Sequence, residues 1–246
     1  MRSIVSTNRF IPPILLVILS VMLTLVGCAP ASTTSPTSST SKVVIDWVDF
    51  IHIGGILYLN SPEKSGRSLT KSDLGPVFAT VTFKLAGNVQ TQNYRSKDGD
   101  AAFLDAGTKL YAVKGYKPTF RLAAQVNNAI TLYEADTNPH ARKGSDLLDI
   151  GGKVRSIGIV SDQDGVTELA AIKDPKQVAT LVNFVMQAPI GQSLMLGKLR
   201  YFIVFHLADG TVVTRAYWLD TGELQRGILL SKAFGDAIKA ALPASH

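Results

Sequence analysis

Residues 201–219 read YFIVFHLADGTVVTRAYWL, two alternating runs on either side of Ala208-Asp209-Gly210-Thr211. Alternation with a period of two marks strands, and Asp-Gly between two such runs marks a hairpin. With Asp209-Gly210 at the centre of a type I′ turn, His206 opposes Val213, Val204 opposes Arg215 and Phe202 opposes Tyr217. Side chains alternate between faces. Tyr201, Ile203, Phe205 and Leu207 with Val212, Ala216 and Trp218 then form an apolar face suited to meet helices. The other face carries Phe202, Val204 and His206 with Val213, Arg215 and Tyr217. Aromatics beside Arg are enriched where partners bind, so Arg215, Tyr217 and His206 are the candidate binding residues. The same pattern also fits a face covered by the first half of the chain, with Arg215 and His206 at its rim.

Helices flank this hairpin. Asp174-Pro175-Lys176-Gln177 combines an N-cap acid, Pro at the first helical position and Gln three residues after the cap. Val178, Leu181, Val182, Val185 and Met186 follow at helical spacing until Pro189. Ser231 precedes a second such run, Phe234, Ala237, Ile238, Ala241 and Leu242, ended by Pro243.

Upstream the pattern is β. Val44–Ile53 and Ile56–Leu59 flank Gly54-Gly55, a hairpin signal. Ala79–Leu85 alternates as a single strand, and Thr108–Lys114, Thr119–Ala124 and Ile130–Tyr133 read as three more. Asn138–Arg155 reads as a solvated basic loop. The fold class is therefore α+β: a β-rich half over residues 43–155, then a strand-helix-strand-strand-helix unit over 156–246. The expected form is an antiparallel sheet with helices on one face, the two parts forming one domain or two.

The N-terminus carries an address. Arg2 and Arg9 precede an uncharged run, residues 10–27 (FIPPILLVILSVMLTLVG), which ends at Leu25-Val26-Gly27-Cys28. At 18 residues the run is borderline for a membrane span and long for a secretory leader. Leu25-Val26-Gly27-Cys28 resembles the lipobox of bacterial lipoproteins, with the chain's single cysteine at the cleavage point. That resemblance implies residues 1–27 as a signal peptide, and diacylglycerol and palmitate on Cys28. The alternative is an uncleaved signal anchor. Positive charge before the run places the remainder outside the cytoplasm in either case, on the extracytoplasmic face of a bacterial cell membrane. Residues 29–42 hold nine Ser or Thr and two Pro. Such a composition cannot offset its ordering entropy and reads as a tether, so residues 28–42 form the lipidated linker. The segment Gly107–Tyr116 and the layout of Lys173–Leu230 also resemble uncharacterised lipoproteins of Gram-positive-type bacteria.

Chemistry is sparser. The formal charge is +6, from 25 Lys+Arg against 19 Asp+Glu, spread along the chain, which is no nucleic-acid footprint. One cysteine excludes an internal disulfide. No nucleophile elbow, zinc-protease motif or phosphate loop is present. No cofactor is expected and no catalytic residue stands out. Asp162, Asp164 and Glu168 are weak calcium candidates, since Asp-x-Asp-Gly opens like half a calcium loop; the competing explanation is a plain turn. The reading is a lipid-anchored, non-enzymatic module that binds an envelope protein or small ligand. The rivals are an envelope hydrolase using Asp/Glu chemistry and an inhibitor or accessory subunit of another envelope protein.

Overall fold

A computed structural model describes residues 45–61, 66–193 and 196–244. Cys28 and the segments expected to be signal peptide and tether lie outside the described residues.

Gly54-Gly55, both at positive φ, close the first hairpin between β1 (Phe50–Ile53) and β2 (Ile56–Asn60). The alternating run 79–85 does not form one strand. It is divided between β3 (Leu74–Thr80) and β4 (Phe83–Lys84), with Val81-Thr82 between them. Then follow β5 (Asp100–Ala101), β6 (Lys109–Val113), β7 (Arg121–Val126) and β8 (Ala129–Thr137). These eight strands form one sheet in the order β3-β6-β7-β8-β2-β1-β5-β4.

β3 and β4 are adjacent in the chain, yet they occupy opposite edges. A flat sheet of eight strands would be roughly 33 Å across, whereas the steps from Thr80 to Phe83 span about 11 Å at most. The sheet must therefore curl until its edges nearly meet. Val81-Thr82 joins the two edges, bonded on either side: Val81 N donates to Thr108 O beside β6 at 2.9 Å and Thr82 N to Gly99 O beside β5 at 2.8 Å. Ile51, Tyr58, Val81, Leu110, Leu122 and Tyr133 are buried together inside the curl.

The second sheet has six antiparallel strands in the order β10-β9-β11-β12-β13-β14. They are β9 (Val154–Ser161), β10 (Glu168–Ile172), β11 (Arg200–Leu207), β12 (Val212–Trp218), β13 (Glu223–Leu224) and β14 (Ile228–Leu229). The helices are α1 (Pro175–Gln187) and α2 (Lys232–Ala241). One core cluster joins Ile157, Ile159, Ile203 and Phe205 to Leu181 and Val185 of α1 and to Phe234 and Ile238 of α2. The bulk is β, with two helices among the described residues, neither of them long and apolar enough to cross a membrane.

Asp174 caps α1 as its sequence implies, its Oδ1 accepting from Gln177 N at 2.8 Å. Asp174→Ala should cost about 1 kcal/mol in a denaturant melt. Ser231 takes the cap position of α2 without a side-chain cap bond. The segment 138–155 is a wedge rather than a solvated loop. Ala141, Leu147, Leu148 and Ile150 enter the same core as α1, because apolar residues alternate with its charges.

The 201–219 hairpin forms one register step away from a type I′ turn. His206 pairs with Val212, Phe202 with Ala216 and Tyr201 with Tyr217. Gly210 alone in the turn has positive φ, at +86°, and its N–H donates to Leu207 O at 3.1 Å, which makes a three-residue loop. Asp209 favours this form by accepting from Thr211 N at 2.9 Å. The step reverses the alternation on β12. Tyr217 is fully buried in the helix-side core, edge-on to Phe234 at 5.3 Å, and is not a surface group.

Residues 42–246 form one compact unit. Its two sheets are bonded to each other: Arg67 N donates to Gly210 O at 3.0 Å and Tyr116 Oη to Asp209 at 2.7 Å.

Candidate functional site

On β8 the side chains alternate between two environments. Tyr133 and Ala135 fill the curled sheet, while Glu134 and Asp136 stand on the face turned towards the second sheet. Arg121 of β7 lies directly opposite Glu134 in the ladder. Its Nε and Nη2 donate to Glu134 Oε1 at 2.9 and 2.6 Å, and its remaining donors reach Thr211 Oγ1 and Val212 O across the sheet junction. Tyr116 and Phe120 stack on the same guanidinium at 4.6 and 5.1 Å. Arg215 of β12 approaches the other carboxylate oxygen, Nη1 to Oε2 at 2.8 Å. Burial would push the Glu134 carboxyl up, but the guanidiniums of Arg215 and Arg121 outweigh it and hold it below its ordinary value.

Beside this triad Asp136 pairs with Arg226. Burial pushes the Asp136 carboxyl above its ordinary value, and Arg226 and Arg215 only partly offset it. Arg226 has φ +76°, a conformation rare and strained for a side chain of its size. Its Nε is buried without a hydrogen-bond partner.

These groups line one end of a cavity of about 390 Å³ between the sheets. Val160, Phe202 and Val204 give it an apolar wall, and Val160 and Val204 are themselves buried. His206 and Glu168 stand at another part of the wall, Nε2 to Oε2 at 4.0 Å. Both cross over Gly158, where an added Cβ would come within 2.9 Å of Glu168 Oε2 and 3.3 Å of His206 Nε2. A second, wider groove of about 760 Å³ runs beside α1, but Arg155 is its sole charged lining side chain. The smaller cavity gathers the chemistry.

Of the sequence candidates, Arg215 and His206 reach this cavity and Tyr217 does not. The calcium candidates serve three separate ends. Asp164 accepts from Val166 N and Thr167 N, both at 3.0 Å, and fastens its own turn. Asp162 faces Arg200 at 3.6 Å, and Glu168 faces His206. Among the described residues no three His, Cys, Asp or Glu side chains converge as metal ligands. Glu134, Asp136, Arg121 and Arg226 were not singled out in the sequence. A signal was present in Glu134-Ala135-Asp136, two acids on the same side of an otherwise apolar strand.

Compared with known proteins, the chain matches no family model, no curated protein and no solved structure.

Proposed function

We propose that this is a lipid-anchored protein of the bacterial envelope whose extracytoplasmic domain binds a small ligand in the cavity between its two sheets. The observation that carries the binding role is the cavity. Its size lies within the range of small-molecule sites, and it sets a few charged groups against an apolar wall. In this reading both helices cover one face of the six-stranded sheet and leave the other to the ligand. The anchor rests on Leu25-Val26-Gly27-Cys28 at the end of the apolar run, and the Ser/Thr-rich residues that follow give the domain its reach.

The hydrolase alternative draws on Asp136, a carboxyl raised above its ordinary value at a cavity. The neighbouring carboxylate, Glu134, is held by two guanidiniums, which removes it as a partner for Asp136 in paired acid and base work.

Two arms test the proposal. Cys28→Ser should leave an unprocessed precursor lacking lipid, read by intact mass of the membrane-extracted protein; an unmodified Cys28 in the native protein would refute the anchor. For the cavity, a compound screen on the full-length protein should find ligands that raise its melting temperature. Val204→Trp, which fills the apolar wall, should abolish that shift while still melting cooperatively. Equal shifts in both proteins would move the site elsewhere.

A further inference from the structure

The charge arrangement of the cavity names a class of ligand, an inference that rests on the binding role proposed above. We propose that the cavity takes a small amphipathic monocarboxylate, its anionic end on Arg215 and Arg226 and its apolar body along Val160, Phe202 and Val204.

Arg121 and Arg215 share one carboxylate, Glu134, so this end holds one more cation than anion. The Asp136–Arg226 pair adds no net charge; Glu168 also lines the cavity, beside His206, so the surplus belongs to the Glu134 end and not to the cavity as a whole. Arg121 is fully buried and cannot touch a ligand. Arg215 can. Its Nη1 serves Glu134 and the Thr214 carbonyl, while Nε and Nη2 have no protein partner among the described residues. Arg226 commits Nη2 to Asp136 and its Nε is buried out of a ligand's reach, which leaves Nη1, with no protein partner among the described residues, as its available donor. Guanidinium forks match carboxylates in bidentate geometry. One surplus cation and unmet donors call for a single negative charge with acceptor oxygens. A neutral alcohol would satisfy fewer of these donors, and an ammonium group would bring donors and no acceptor to Arg215. A phosphate monoester brings nearly two charges to a surplus of one. Val160, Phe202 and Val204 form one apolar stretch of the wall, a surface suited to a hydrocarbon body, beside polar groups that include Asn60, Thr214 and Gln225.

Octanoate is the probe. Equilibrium dialysis of radiolabelled octanoate against the full-length protein in phosphatidylcholine nanodiscs, with empty nanodiscs as baseline, should show saturable binding. Octanol and octylamine should fail to displace it, and octyl phosphate should displace it more weakly than unlabelled octanoate. Arg215→Gln should weaken binding about tenfold or more, the loss expected for a charge-assisted pair. Arg215→Lys, which keeps the charge without the fork, should fall between. Glu134 keeps Arg121 in both variants, and a cooperative melt checks their folding. If either fails that check, displacement from the native protein decides alone. Absence of saturable octanoate binding, equal displacement by octanol, or tighter displacement by octyl phosphate would overturn the assignment. If octanol or octylamine binds in a manner blocked by Val204→Trp, the binding role stands and the carboxylate falls. If nothing binds, both fall.

Discussion

Glu134→Gln should destabilise the folded domain by about 3–5 kcal/mol, because it removes the carboxylate paired directly with a fully buried guanidinium. The substitution keeps size and shape, so the loss reports charge rather than packing. Arg121 would retain its bonds to Thr211 Oγ1 and Val212 O and the weaker attraction of Asp209, but would lose its paired carboxylate. Urea melts of the pure protein would measure the loss. The double variant Arg121→Met with Glu134→Leu should recover most of it, since matched apolar replacement of a buried ion pair is often neutral or better. Arg215 would lose Oε2 in both proteins, so Arg215→Gln should be combined with each to separate its share. A pH series gives an independent check. Glu134 is held below its ordinary value of 4.5, so its contribution is present above that value and is lost as pH falls through the lower folded value. Asp136 is shifted upward and runs the other way, its contribution being lost as pH rises. Glu134→Gln should therefore flatten the acid limb of the stability profile. An unchanged limb would show that the triad does not govern acid unfolding.

Phe234→Ala should cost about 3–5 kcal/mol by a different route, the opening of a cavity in the core. Phe234 is fully buried on α2 and packs edge-on to Tyr217, whose hydroxyl has no hydrogen-bond partner and whose pKa burial raises to about 12. The ring is thus held by apolar contact alone. Removing Phe234 would leave Tyr217 facing a void and free α2 from β12. Hydrogen exchange should then accelerate through Lys232–Ala241 before it does in β1 and β2, which share no core cluster with α2. A melt within about 1 kcal/mol of the parent protein would show that α2 contributes little, contrary to the cavity costs typical of a buried aromatic.

How much the sequence disclosed depended on the distance over which each feature is specified. Helix α1 was legible in full, because Asp174, Pro175, Gln177 and the spacing of Val178, Leu181 and Val185 are all local signals. The 201–219 hairpin was legible as a hairpin but not in register. Asp-Gly fits both a two-residue turn and a three-residue loop, and the choice moves Tyr217 from one face to the other. The run 79–85 alternates as one strand would, but alternation cannot say that Val81-Thr82 bridges two edges of a curled sheet. The unit over 156–246 reads in sequence with one strand ahead of α1, where the structure has two, β9 and β10; Gly158 interrupts the apolar pattern of β9 and sits under the side chains that cross it. The cavity was the least legible feature. Glu134 meets Arg215 across 81 positions of sequence, and no local pattern records that meeting. Arg215 and His206 were found because a charged group among aromatics is unusual on a strand; the partner of Arg215, Glu134, came from the other half of the chain.

The curled sheet also fixes an order of events. β1 and β2 are complete as a hairpin by Asn60, yet β2 takes its next neighbour from β8, with Leu57 paired to Thr137. As the chain is synthesised from its N-terminus, that flank of the hairpin stays unpaired until residue 137 has emerged, and such edges are the surfaces on which chains associate wrongly. Contacts so distant in sequence form slowly, because the intervening loop must close before any of them is made. An early hairpin of the described chain is therefore enclosed only after β3 to β7 have been made.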